Sequence, residues 1–213
     1  MQTDRIRVTS EGEGKEAVLL ETEKFAQYAG LDRKAAMRLR LLSEELLGMI
    51  AGITEDFSAE FWIETIQRGG CRIHLCAETD MDYAKKRDLI AVSTSGKNER
   101  SRGFMSRIRD MIENSFYAVD EGGAIEAETS EDGMLMYGVL GMGDVNPVIT
   151  NPMPFTWSLE KYRSEVDAEK GTNEAAAEAW DEMEKSIVAS IADDVRVSVS
   201  GNKAEIVVEK RTF

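Results

Sequence analysis

Several groups of side chains in this 213-residue chain have the type or spacing to do chemistry. Glu44 and Glu45 stand side by side in LLSEELLGMI, a carboxylate pair that on a helix serves either as a catalytic base or as solvated surface charge. Lys97, Arg100, Arg102, Arg107 and Arg109 make the densest basic stretch. A loop entering a helix there reads as an anion site, with Lys97 and Arg102 reaching a phosphate; the plainer reading is a charged helix face, with Asp110 one turn after Arg107. A Walker A loop is excluded, because Asn98 follows Gly96-Lys97 and residue 91 is Ala. His74 is the single histidine, and no paired Asp or nucleophile accompanies it to make it a general base. Cys71 and Cys76 lie an odd number of residues apart, so on a strand they point to opposite faces; buried thiols are expected there rather than a metal site. Gly141-Met142-Gly143-Asp144 is glycine-rich but sits in no strand-to-helix pattern.

The elements that must position these residues are legible in the hydrophobic spacing. Ile6 and Val8 alternate with Arg5, Arg7 and Thr9, which predicts a half-buried strand over 4–9. Val18, Leu19, Thr22, Phe25, Ala26 and Ala29 predict a helix over 13–29 that ends at Gly30. A second helix is expected over 33–52, capped by Asp32, with Leu39, Leu42, Leu46, Met49, Ile50 and Ile53 as its apolar stripe. Residues 59–67 and 71–78 alternate around Arg68-Gly69-Gly70, with Phe61, Ile63, Cys71, Ile73 and Leu75 facing one way and Trp62 and His74 the other. A short helix over 83–93, a loop over 95–101 and a helix over 103–115 with Phe104, Ile108, Met111 and Ile112 inward follow. Residues 117–140 read as a hairpin, 141–154 as a loop and 155–168 as helical. A helix over 174–192 has the stripe Ala176, Trp180, Met183, Ile187 and Ile191, and a last hairpin turns at Gly201-Asn202. Each of these strands alternates and none is a solid apolar run, which predicts an α+β fold: a two-layer α/β sandwich, its mixed sheet mostly antiparallel, with helices on one face and the other face open.

With these elements in place, the chain resembles the histidine-kinase-like (GHKL) ATPases, most closely the anti-sigma-factor serine kinases. The resemblance rests on the strand–helix–helix–hairpin order, on Ser43-Glu44 matching the family's S-E-x-x-x-N helix motif, on Ser101-Arg102-Gly103-Phe104 matching part of its G-x-G-L helix start, and on the terminal hairpin DDVRVSVSGNKAEIVVEK. It covers roughly 1–115 and 194–213, and implies a sandwich domain over 1–116 plus 194–213 interrupted by an acidic insertion at 117–193 that ends in a docked helix. It implies that Glu44 acts as the base or orients water, and that Lys97, Arg102 and the Gly103 amide hold phosphate of ATP or ADP with Mg²⁺. The motifs are eroded. Gly48 stands where the Mg²⁺-holding Asn would be, and Ala77 in CAETDMD stands where an Asp reads adenine, with Glu78, Asp80 or Asp82 reachable only by slipping register. No metal ligand set is therefore expected, and a non-catalytic regulatory module in transcription or signalling control is favoured over a nucleotide-binding protein or weak ATP-dependent protein kinase.

Charge narrows the classes further. The chain holds 26 basic and 40 acidic residues, a net charge of −14. Residues 1–110 carry 18 basic and 19 acidic side chains, whereas 111–195 carry 4 and 19. Such a chain is a poor general ligand for nucleic acid. No run of about 18 apolar residues spans a membrane and MQTDRIRVTS has no apolar core of a signal peptide, so a cytoplasmic setting is the expectation. The acidic stretch, bearing Met134, Met136, Met142 and Met153, is the expected contact surface for a protein partner with a basic surface. Trp62 on the open face marks a candidate homodimer contact.

Overall fold

The computed structural model describes residues 1–53, 57–79, 104, 108, 112, 155–200 and 202–212. Strand β1 (Ile6–Thr9) leads into helix α1 (Lys15–Tyr28). That helix closes at Ala29, and Gly30 takes the left-handed conformation (φ 68°). There the Leu31 amide donates to the Ala26 carbonyl and the Gly30 amide to the Gln27 carbonyl, which satisfies the orphan acceptors of the last turn. Leu31 packs against the core just beyond. Helix α2 (Arg33–Ile53) starts where Asp32 accepts from the Ala35 amide at 2.8 Å. Its expected stripe is buried: Leu39, Leu42, Leu46, Met49 and Ile50 are all at or below 6% exposure.

Strands β2 (Phe57–Thr65) and β3 (Cys71–Thr79) form the expected hairpin, joined by a 3₁₀ turn over Gln67–Gly69. The closing hairpin is β5 (Asp194–Ser200) and β6 (Lys203–Lys210), with Ser200 opposite Lys203. One six-stranded sheet results, in the order β1-β2-β3-β6-β5-β4, and every pairing among the described strands is antiparallel. The registers put Ile6, Val8, Phe61, Ile63, Ile73, Leu75, Ile206, Val208, Val195 and Val197 on one face, all but Ile6 buried. The helices cover that face, so the molecule is an α+β sandwich with its core between one sheet and one helical layer. Phe104, Ile108 and Ile112 are helical and buried in the same core, as their four-residue spacing predicts.

Two expectations are corrected. Residues 155–168 are not one helix. Phe155–Ser158 is strand β4, paired with β5 so that Trp157 faces Val197, and helix α3 (Leu159–Glu169) begins only after Ser158 caps it through the Lys161 amide. The alternation of FTWS is too short to outweigh the helical spacing behind it. The helix expected over 174–192 is two. Asn173 caps α4 (Glu174–Lys185), Ser186 breaks it with an extended ψ of 128°, and Ser186 then caps α5 (Ile187–Ile191). The break turns Ile187 outward, 44% exposed, and brings Val188, Ala189 and Ala192 into the core in its place. Residues 155–193 supply an edge strand and three helices to the same two layers. The short helix over 83–93, the 95–101 loop, the 117–140 hairpin and the 141–154 loop lie outside the described residues, as do Met111, Asp80 and Asp82.

Candidate functional site

The expected nucleotide-site residues on α2 are placed clearly. Ser43 is fully buried and donates to the Leu39 carbonyl, and Thr22 Oγ1 of α1 lies 3.2 Å from its hydroxyl oxygen, so this serine seals the α1–α2 contact. Glu44 points away from the core. Its side chain is 41% exposed and accepts from Arg40 Nε at 2.9 Å, and Arg40 also pairs with Glu23 of α1. Glu44 is thus part of a three-charge surface cluster joining the two helices. Gly48 is exposed with nothing within 4 Å of where a Cβ would stand, so α2 offers no ligand there. Lys97, Arg102 and Gly103 lie outside the described residues.

On β3, Ala77 is buried on the core face, opposite Ala59 and Ala204. Glu78 is its neighbour on the other face, where it pairs with Lys203 at 3.6 Å. One residue of slip crosses the sheet, so Glu78 does not replace a carboxylate at the Ala77 position.

The open face of the sheet holds the other candidate groups. Trp62 of β2 and His74 of β3 are directly opposite, and their rings stack at 4.6 Å with a 6° interplanar angle. Arg5 lays its guanidinium over the far side of this pair, 4.3 Å from the Trp62 ring. The stack explains why Trp62 is only 8% exposed on the face that no described helix covers. His74 Nε2 lies 3.3 Å from Glu64 Oε1, while its buried Nδ1 has no hydrogen-bond partner and stands 3.9 Å from Glu205.

Beside the stack, Glu209 gathers three guanidiniums: Arg72 at 2.8 Å, Arg196 at 2.9 Å and Arg211 at 3.1 Å. Burial alone would push its carboxyl up; hydrogen bonds from Arg72 and Arg211 outweigh that and hold it below its ordinary value. Arg72 also approaches Glu64, Arg196 approaches Asp194, and Arg211 reaches Glu160 at the start of α3. Spacing along one strand could not reveal this network, because its members come from β2, β3, β5, α3 and the end of β6.

These groups do not assemble a nucleophile with a base. Burial, then the Glu205 carboxylate, push the Cys76 thiol up, and burial pushes Cys71 up to about 12, so both are protonated and poor nucleophiles. Cys71 and Cys76 lie on opposite faces as their spacing requires. Among the described residues no group of three His, Cys, Asp or Glu is arranged to hold a metal, and no helix is long and apolar enough to cross a membrane. Among the described residues the open face carries the Trp62–His74 stack and the ion pairs around Glu209.

No protein-family model, curated protein or solved structure matches the chain.

Proposed function

We propose that this chain is a regulatory protein-binding module on a degenerate histidine-kinase-like ATPase fold, acting in transcription or signalling control. The observation that carries the reading is the surface of α2. Glu44, the residue matching the family's catalytic Glu, is held by Arg40, and Gly48 presents no side chain where that family holds Mg²⁺. The strand–helix–helix–hairpin order and the closing hairpin support the same reading. The contact surface is the 117–154 segment, which holds seven carboxylates and no lysine or arginine and so attracts a basic partner.

Two measurements test it. Melting of the full chain is expected not to change with millimolar Mg·ATP or Mg·ADP. Binding at micromolar affinity would add about 4 kcal/mol and raise the midpoint by several degrees, and that outcome would favour an adenine-nucleotide-binding protein or weak serine/threonine kinase instead. Affinity purification of the tagged full chain is expected to recover a stoichiometric partner that is lost when 118–152 is replaced by a Gly/Ser linker. The replacement must stop before Phe155, because β4 and α3 carry the core residues Trp157, Leu159 and Val166.

A further inference from the structure

Three cations on α2 stand out by what they lack. Across the described residues almost every lysine and arginine is engaged: Arg5 with Glu60, Arg40 with Glu23 and Glu44, and Arg72, Arg196 and Arg211 with Glu209. Arg33, Lys34 and Arg38 make no ion pair or hydrogen bond among the described residues, in a chain with a carboxylate excess of fourteen. Their position does not serve the helix either. The first turn of α2 carries no acidic residue, and cations there oppose the positive end of the helix dipole.

The helical repeat puts Arg33, Met37 and Leu41 on the side away from the buried Ala35, Leu39, Leu42 and Leu46, with Lys34 and the half-buried Arg38 along one flank and Glu44 two turns further along the same side. Met37 is 55% exposed among these cations, and Tyr28, at the end of α1 by the same corner, is 81% exposed. Arginine, methionine and tyrosine are the side chains enriched where proteins meet proteins.

We propose that this face of α2 is a docking surface for an acidic segment of a partner protein that also carries an apolar side chain to cover Met37. The proposal rests on the reading of the chain as a protein-binding module and names a contact distinct from the acidic 117–154 segment. Charge complementarity selects the occupant: cations without an ion pair among the described residues, beside an exposed thioether, fit carboxylates flanking an aliphatic anchor. Three cations on a chain this acidic are too few to hold a phosphate backbone, and one methionine and one tyrosine are too small an apolar face for a lipid surface.

The test uses the full chain and a short fluorescein-labelled peptide of Glu and Asp around two leucines, followed by anisotropy. The acidic peptide is expected to bind at physiological salt and its Gln/Asn analogue not to. The triple change Arg33→Glu, Lys34→Glu, Arg38→Glu should weaken binding at least about tenfold, and Met37→Ser should weaken it while leaving the salt dependence unchanged. Lys15→Glu, a free cation at the start of α1, should leave the affinity as it is, and all variants should melt as the parent does. The proposal is overturned if the triple change leaves affinity unaltered, if no peptide binds, or if phosphatidylserine vesicles or duplex DNA bind α2 in preference. A dimer by light scattering that the triple change dissociates would overturn it too, by assigning the face to a second copy. If α2 fails these tests while the tagged chain still recovers its stoichiometric partner, this contact is wrong and the module reading stands.

Discussion

Two carboxylates with opposite environments make the residue scale testable. Glu209 is held below its ordinary value by Arg72 and Arg211 against the effect of burial, so ionised Glu209 is favoured by folding. Its contribution is fully present above the unfolded value of about 4.3 and is lost as pH falls through the folded value. Glu165 of α3 is the reverse. Burial pushes its carboxyl up despite Lys161, and one of its oxygens is buried without a partner. Its contribution is present below the unfolded value and is lost as pH rises through the folded one. Glu209→Gln should therefore destabilise at pH 7 by about 1–3 kcal/mol, because it leaves three guanidiniums around a neutral amide. Glu165→Gln should leave stability at pH 7 unchanged or raise it. Urea unfolding at pH 7 and pH 4 checks both, and the two variants should converge toward the parent at the lower pH. Glu44 was legible in the sequence as an acidic helix position, and so was its plainer reading as a surface charge. The Glu209 cluster was not legible, because Arg72 and Arg196 approach from two other strands that only the sheet order brings beside β6, while Arg211 follows Glu209 by two residues.

At the scale of elements, periodicity and caps located α1, α2, both hairpins and the buried face of Phe104, Ile108 and Ile112. They failed at junctions. FTWS alternates for only four residues before a helix, and Ser186 reads as an ordinary helix residue unless its capping of the Ala189 amide is foreseen. The lid and phosphate residues expected at 97–103 lie outside the described residues, so the expectation for them rests on sequence alone. One junction carries a sharp constraint. A Cβ on Gly70 would stand 2.4 Å from the Lys210 carbonyl oxygen and 2.6 Å from that of Arg211, both backbone atoms. Gly70→Ala should cost about 2–3 kcal/mol by forcing the start of β3 from the end of β6, measured as a lowered urea midpoint. A substitution at Gly48, where the space is open, should cost little and serves as the control.

For the whole molecule, the acidic residues of 155–195 do not mark a separate body. Residues 155–195 supply edge strand β4 and three helices to the two layers, and the seven carboxylates of 117–154 fall between β3 and β4 in the sequence. A fragment of residues 1–116 should accordingly lack a cooperative melt by circular dichroism, since it ends with β3 bare along one side and without Val195, Val197, Ile206 and Val208. Mixing it with a fragment of 155–213 should restore the transition. The same sheet order also sets the tempo of folding. Arg72 and Glu209, bonded across the two middle strands of the sheet, are 137 residues apart along the chain. The β2–β3 hairpin emerges well before β6 in synthesis, and its inner edge has no partner until β6 arrives. At about 5–20 residues per second that edge stands unpaired for several seconds. A closure over so long a loop is slow, which makes β3, rather than either true edge of the finished sheet, the strand most open to mispairing while the protein is being made.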